Sequence, residues 1–153
     1  MDRKQHWEHI YATRASDSVS WFQEHADQSL RLIHNTGLGK EAAIIDVGGG
    51  AATLVDDLAA EGYTDLTVLD LSAAALVVAK QHLGNHADVV HWMEGDITRA
   101  EFPIHRFDIW HDRAVFHFLT DPADRHAYVE RVMRAVRPGG HVIVATFAED
   151  GPE

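Results

Sequence analysis

Cysteine is absent from the 153 residues of this chain, and basic residues are few. Without cysteine the chain can form no disulfide, no thiolate metal site and no cysteine nucleophile. It carries 13 lysines and arginines against 24 aspartates and glutamates, which gives a formal net charge of -11. Because a protein that neutralises nucleic-acid phosphates needs a basic face, this balance argues against a nucleic-acid partner.

Long apolar runs are missing as well. No stretch approaches the ~18 consecutive apolar residues of a membrane span, and the first residues, MDRKQHW, are polar and charged. We therefore expect no membrane association and a cytoplasmic location. The hydrophobic fraction of 46% suffices for the core of a single domain over residues 1–153.

Short apolar runs alternate with helical patterns along most of the chain. The runs fall at 43–47, 66–69, 89–92, 107–110 and 141–147, and the helical patterns at 20–34, 52–61, 72–83 and 122–136. Several runs are continuously apolar, as in strands that are covered on both faces. Strict alternation of strand and helix predicts right-handed crossovers, and hence a Rossmann-like α/β fold with a parallel sheet and helices on both faces.

Three consecutive glycines separate the first predicted strand from its helix, in IIDVGGGAATLVDDLAAEG (44–62). In a parallel sheet this turn forms the floor of the ligand crevice, and Gly48, Gly49 and Gly50 let a ligand approach the backbone. A tight turn with close helix packing is an equally good interpretation of the glycines alone. A nicotinamide dinucleotide is disfavoured, because its third glycine would stand where the chain has Thr53.

Acidic residues accompany the ends of three successive strands. Asp46 precedes the glycines, Asp70 ends the second strand and Asp96 follows the third. No lysine or arginine lies between Glu41 and Asp70. Since a pyrophosphate favours neutral or positive surroundings, this acidic edge suits a ligand with a positive group, such as an ammonium or a sulfonium. Asp70 could accept from two ribose hydroxyls, and Asp96 from an adenine amino group. Taken singly, each aspartate is equally well explained as an ordinary turn residue at a strand end.

The motifs IIDVGGGAA, LTVLDLS, EGDI, FDIWHD and RAVRPGGHVIVATF, in this order over 42–147, resemble those of class I S-adenosylmethionine-dependent methyltransferases. The resemblance implies S-adenosylmethionine as the cofactor. The cofactor-binding residues that it implies are Asp46, Gly48, Gly49, Gly50, Asp70, Leu71, Asp96 and Ile97. Asp46, Gly48 and Gly50 would lie under the methionine part, Asp70 at the ribose, and Asp96 with the backbone of Ile97 at the adenine. Ala52 stands where many members have a further glycine.

The segment HWEHIYATRASDSVSWFQEH (6–25) resembles the lead-in of two branches of that family, the thiopurine methyltransferases and the elongation-factor lysine methyltransferases. Trp7 and Tyr11 are four residues apart and therefore share a helical face. They are predicted to cap the cofactor, as part of an N-terminal helical cap over 1–40 beside a cofactor-binding core over 41–153. Pinning a helix to the core is their alternative role.

The fourth predicted strand ends in FDIWHDRAVFHFL (107–119), where the methyl acceptor is expected. The Asn-Pro-Pro-Tyr run of many amide and nucleobase amino methyltransferases is missing, and His111-Asp112-Arg113 is similar to the Asp-Lys-Gly turn of the elongation-factor enzymes. His111 and Asp112 are predicted catalytic residues that orient an amine or take its proton. Bonds that hold the neighbouring loop are the structural alternative. The twelve histidines show no zinc-like spacing, so no metal is expected.

The family core has seven strands, whereas five are predicted before the chain ends at Glu153. An open fifth strand favours pairing with another chain, so we expect a homodimer through this edge, or a chain that is a fragment of a longer protein. The sequence thus predicts a methyltransferase that acts on an amine, of a protein lysine or a small molecule, or on a small thiol. A non-catalytic cofactor-binding domain with a regulatory or assembly role is the alternative, and a nicotinamide-dependent oxidoreductase is a weaker one.

Overall fold

A parallel five-stranded sheet and its connecting helices form the computed structural model, which describes residues 27–48, 54–113, 115–116 and 119–145. The strands are β1 (Ala43–Val47), β2 (Asp65–Asp70), β3 (Val90–Glu94), β4 (Phe107–Arg113) and β5 (Val136–Ala145). The helices are α1 (27–35), α2 (Leu54–Ala60), α3 (Ala73–Leu83) and α4 (Pro122–Ala135), with a 3₁₀ turn at Gly84–Val89. The sheet order is β3-β2-β1-β4-β5, with every neighbouring pair parallel. The predicted Rossmann-like α/β fold is confirmed.

Helices α3 and α4 begin at capping residues that the sequence places after apolar strands. Ser72 caps α3, where its Oγ accepts from the backbone N–H of Ala75 at 3.1 Å. Asp121 caps α4 in the same way through Ala123, at 2.8 Å. Pro122 stands at the start of α4, where no N–H is needed. These caps fix the points at which the chain turns back across the sheet.

Helices cover both faces of the sheet. On one face α1, α2 and α3 pack buried side chains such as Ile33, Leu54 and Leu76 against the strands. On the other face α4 and the segment after β3 enclose aromatic rings that pack edge to face. These rings are Phe102, Phe107, Trp110 and Tyr128. Cover on both faces explains why all five residues of β1 are buried.

The N-terminal part of the chain is described from residue 27 onward. Its helix α1 rests on the core through the buried residues Ile33 and Ser29. Trp7 and Tyr11 lie outside the described residues, so the predicted division into a cap over 1–40 and a core over 41–153 stays a prediction. None of the helices in the described ranges combines the length and the apolar composition that crossing a bilayer requires.

Strand β5 begins earlier than the sequence predicts, and it contains a bulge. Val136 pairs with Phe107 and His141 pairs with Ile109, so residues 137–140 stand opposite a single residue of β4. The RPGG stretch at these positions, which precedes the predicted strand 141–147, therefore bulges out within the strand. Strand β5 is terminal in the described sheet, and the pairing of another chain with it stays a prediction.

Asp108 is the residue that stands opposite the bulge and secures it. Its carboxylate accepts from the Arg137 side chain and, at 2.8 Å, from the backbone N–H of Ala43 at the start of β1. Gly139 within the bulge has a φ of 83°, which a side chain would strain. One carboxylate therefore joins the beginnings of β1, β4 and β5.

Gly140 should tolerate no side chain, because the bulge is closed by backbone atoms. A Cβ at this position would lie 2.8 Å from the carbonyl oxygen of Asp108 and 2.9 Å from that of Arg137. Gly140→Ala should therefore lower the free energy of unfolding by about 1–3 kcal/mol, measured by urea denaturation. The control is Gly39→Ala, whose Cβ would meet the flexible Glu41 carboxylate at 2.7 Å. Equal stability of the two variants would contradict this account of the bulge.

Candidate active site

The carboxyl ends of β1, β2 and β3 meet at one edge of the sheet. The backbone N–H of Gly48 donates to the carbonyl of Leu69 at 2.7 Å, and that of Gly95 donates to the carbonyl of Asp70 at 2.9 Å. These two bonds bring the glycine turn, the end of β2 and the loop after β3 side by side. Gly48 has a φ of 77°, in the left-handed region, so the turn after β1 depends on its missing side chain.

The three aspartates that the sequence predicts at a ligand all lie at this edge. Asp70 is buried at the end of β2, where its Oδ1 accepts from the N–H of Ser72 at 2.8 Å. Asp96 follows β3, and its Oδ1 accepts from the N–H and the hydroxyl of Thr98, at 2.9 and 2.7 Å. Asp46 is the second-last residue of β1, and its side chain is buried, 2% exposed. The ligand contacts assigned to these residues stay predictions.

Asp46 belongs to a chain of hydrogen bonds that crosses three elements. The Nδ1 atom of His111 lies 2.8 Å from Asp46 Oδ1, and its Nε2 atom lies 2.7 Å from the hydroxyl of Ser29 in α1. The register of β1 against β4 pairs Asp46 with His111, and all three side chains are buried. Asp46 Oδ2 has no hydrogen-bond partner within the described residues. The sequence does not single out Ser29, because a serine in an amphipathic helix carries no signal of its own.

Asp112 holds the loop that follows β4. Its Oδ1 accepts from the N–H of Val115 at 2.7 Å, and its Oδ2 accepts from the N–H of Phe116 at 2.9 Å and from the hydroxyl of Tyr128. Tyr128 in turn accepts from Trp110 Nε1 at 3.0 Å. Burial raises the pKa of Asp112, although these hydrogen bonds oppose the rise. Burial and the charge of Asp112 also raise the pKa of Tyr128, which therefore remains a donor.

The two predicted catalytic residues have partners on every side-chain polar atom. Both ring nitrogens of His111 and both carboxylate oxygens of Asp112 make hydrogen bonds. Asp112 accepts from two backbone N–H groups of the loop after β4, as a residue that holds this loop in place would. A catalytic role for either residue stays a prediction.

The remaining predicted residues differ in what the structure says of them. Those outside the described ranges are Trp7, Tyr11, Gly49 and Gly50. Leu71 is partly buried directly after β2, and Ile97 is buried in the core of the second face. The side chain of Ile97 is thus committed to packing, and its backbone is the part that could meet a ligand. In the ranges that the structure describes, no three metal-ligating side chains stand together.

A family model described as a methyltransferase domain matches residues 44–140. The match runs from β1 to the bulge of β5, and so includes the glycine turn and the three aspartates. This chain belongs to the methyltransferase domain family. The chain resembles two groups of curated relatives and many solved structures of the same fold, as its motifs lead us to expect.

The chain is similar to EEF1A lysine methyltransferase 2 of Danio rerio, with 26% identity over 137 residues, 82% of this chain and 57% of that protein. It is 35% identical over 105 residues to the ubiquinone biosynthesis O-methyltransferase of Alkalilimnicola ehrlichii, 68% of this chain and 41% of that protein. The crystal structure of the glycopeptide N-methyltransferase MtfA complexed with S-adenosyl-L-methionine superposes with a TM-score of 0.65 and 20% identity, over 81% of this chain and 55% of that chain. The chain spans about half the length of these proteins. The predicted class I S-adenosylmethionine-dependent family is confirmed.

S-adenosylmethionine, the cofactor of this family, fits the residues at the sheet edge. Asp46 Oδ2 is a buried oxygen without a partner among the described residues, which is costly unless a donor such as an ammonium group reaches it. Gly48 leaves the turn after β1 open to close approach. Asp70, at the end of β2, stands where a carboxylate binds ribose hydroxyls in sheets of this kind.

Tyr128→Phe should destabilise the domain without opening a cavity in its core. The variant deprives Asp112 of a hydroxyl donor and leaves the buried Trp110 Nε1 without an acceptor. The free energy of unfolding should fall by about 1–3 kcal/mol. Urea denaturation measures the change, and Val129→Ala, at a position of α4 that is 47% exposed, is the control.

The loss caused by Tyr128→Phe should grow as the pH rises. Because burial raises the pKa of Asp112 above its ordinary 3.8, the stability linked to its protonation is complete below that value and is lost as the pH climbs through the folded-state pKa. The bond from Tyr128 opposes the rise, so without it the folded-state pKa is higher and the loss is larger. Denaturation curves from about pH 4 to about pH 8 test this. A difference that is constant with pH would contradict it.

Proposed function

We propose that this methyltransferase transfers a methyl group from S-adenosylmethionine to an amine, either of a protein lysine or of a small molecule. The observation that carries the proposal is the meeting of the Gly48 turn with the buried carboxylates of Asp46 and Asp70 at one sheet edge. This edge lies inside the segment that the methyltransferase family model matches.

The residues at the edge bind and orient rather than react. When bound, S-adenosylmethionine would supply a methyl group on a sulfonium sulfur, so that a nucleophile in line with the carbon–sulfur bond takes the methyl group and S-adenosylhomocysteine leaves. Asp46 would hold the ammonium end through Oδ2, while the Gly48 turn admits the methionine part. Asp70 would accept from the ribose hydroxyls, and Asp96 would lie at the adenine. Holding the two reactants in line is the main contribution that these residues can make to the rate.

An amine acceptor is favoured by the residues at the end of β4. His111 and Asp112 have partners on all their polar atoms, so within the described residues this strand end presents no free base. An amine attacks once it is neutral, whereas a hydroxyl gains more from a base that takes its proton in the transition state. The names of the Danio rerio lysine methyltransferase and of the N-methyltransferase MtfA support the same acceptor.

A hydroxyl acceptor is the second candidate. The relative from Alkalilimnicola ehrlichii is named as an O-methyltransferase and is 35% identical over 105 residues. A small thiol and a domain that binds the cofactor without turnover are the remaining alternatives. Assays with parallel acceptors distinguish all four.

S-adenosylhomocysteine should bind the purified chain, and NADH should not. At a hundred times its dissociation constant S-adenosylhomocysteine should stabilise the fold by about 2.7 kcal/mol, which raises Tm by several degrees. Asp70→Asn should reduce this shift, because the variant lacks the charged acceptor at the end of β2. A shift with NADH and none with S-adenosylhomocysteine would instead support the oxidoreductase alternative.

Methylation of a lysine-containing peptide should accelerate with pH. Lysine has a pKa of about 10.4, so the neutral amine and the rate should rise about tenfold per unit between roughly pH 7 and pH 9. Release of S-adenosylhomocysteine measures turnover, with a catechol and a small thiol as parallel acceptors. Asp70→Asn shows whether the turnover belongs to this site.

Three other results of this assay would contradict methylation of an amine by the proposed route. A rate with the peptide that does not change with pH would show that a base of the protein takes the proton. Faster turnover of the catechol or of the thiol would replace the amine as acceptor. Binding of S-adenosylhomocysteine without turnover of any acceptor would support the regulatory alternative.

A further inference from the structure

The hydrogen-bond chain from Ser29 through His111 to Asp46 has a defined direction at its inner end. A carboxylate can only accept, so Nδ1 of His111 must carry the proton that is shared with Asp46 Oδ1 over 2.8 Å. The hydroxyl of Ser29 can donate or accept, and it holds Nε2 at 2.7 Å in either case. The imidazole ring is thus fixed at both nitrogens, and it fixes one oxygen of Asp46.

The second carboxylate oxygen of Asp46 is available to a ligand. Oδ2 is buried and has no hydrogen-bond partner within the described residues. A buried polar atom in that condition costs free energy, and most such atoms in folded proteins are paired. Gly48, at the turn where a ligand is expected, follows Asp46 by two residues. In the described part of the chain, Oδ2 of Asp46 is therefore a buried, unpaired acceptor two residues before that turn.

We infer that Ser29 and His111 are positioning residues, which hold the Asp46 carboxylate so that Oδ2 remains the buried acceptor for the ammonium group of the cofactor. This inference rests on the proposed function. Helix α1 thereby acts on cofactor affinity through β4, although Ser29 lies 17 positions before Asp46 in the chain. His111 acts through Asp46 in this arrangement and does not touch the methyl acceptor.

Serine, histidine and aspartate in this order of contact also form the catalytic triad of serine hydrolases. Ser29 is 3% exposed and lies against the core in α1, so an acyl group has no open route to its hydroxyl. The burial that excludes a nucleophilic role is what a positioning role requires. It keeps water from competing for Nε2 and Oδ1.

Two ligands distinguish a role of Ser29 and His111 in positioning Asp46 from a role in fold stability alone. S-adenosylhomocysteine carries the ammonium group, whereas 5′-methylthioadenosine has the same nucleoside but no amino-acid part. Calorimetric titration of the full chain gives both dissociation constants. Loss of the bond to Asp46 should weaken S-adenosylhomocysteine by about tenfold, as expected for a hydrogen bond to a charged group. It should leave methylthioadenosine unchanged.

Two substitutions of His111 separate its two bonds. In His111→Gln the side-chain amide reaches the place of Nε2 and abandons Asp46, so the full loss of S-adenosylhomocysteine affinity is expected. In His111→Asn the amide reaches the place of Nδ1 and can still donate to Asp46, so most of the affinity should return. Ser29→Ala should have an intermediate effect. His126→Gln, which removes an exposed pair with Glu130, is the control and should change neither constant.

The outcomes separate this inference from the proposed function. Failure of the unsubstituted chain to bind S-adenosylhomocysteine would overturn the proposed function itself. Binding by that chain together with unchanged affinity in His111→Gln and Ser29→Ala would overturn the inference alone. Equal weakening of both ligands would also overturn it, because a purely structural role predicts that result. If His111→Gln does not fold, the ratio of the two constants in Ser29→Ala decides.

Discussion

The buried carboxylate of Asp46 needs a hydrogen-bond partner, and the register of β1 against β4 supplies it. The parallel pairing sets Asp46 against His111 and Val47 against Asp112. A slip of one residue would send every side chain of a strand to the opposite face. It would then separate Asp46 from His111, and the side chains of β1 would face the helical layer on the opposite side of the sheet. The acidic edge of the sheet therefore depends on one register.

In β4 the neighbouring residues His111 and Asp112 bind helices on opposite faces of the sheet. Because successive side chains of a strand face opposite sides, His111 reaches Ser29 in α1, whereas Asp112 reaches Tyr128 in α4. The end of β4 is thus bonded to the helical layers on both faces of the sheet. The carboxyl ends of the strands are therefore held by side-chain contacts on both faces of the sheet, and Gly48 at the end of β1 carries no side chain that would keep a ligand away.

Local signals made much of this structure predictable from sequence. Continuous apolar runs marked the strands, and Ser72 and Asp121 marked helix starts by hydrogen bonds that span only two or three residues. The aspartates could be placed at strand ends because parallel strands end on one side. Long-range partners could not be found in this way. The contact between Ser29 and His111 joins residues that are 82 positions apart, and it depends on how α1 packs.

The start of β5 is a second feature that the sequence alone does not predict, and it affects which part of this edge another strand could pair with. The RPGG bulge departs from the pairing that its turn-forming residues suggest, because Asp108 holds it against β4. An edge strand is a template for cross-β stacking when its backbone groups form a long, regular row. Here the row is broken by displaced backbone and by Pro138, which has no N–H to offer. Within the described residues, 141–145 are the part of β5 that pairs without interruption, so the bulge shortens the regular row that another strand could meet at this edge.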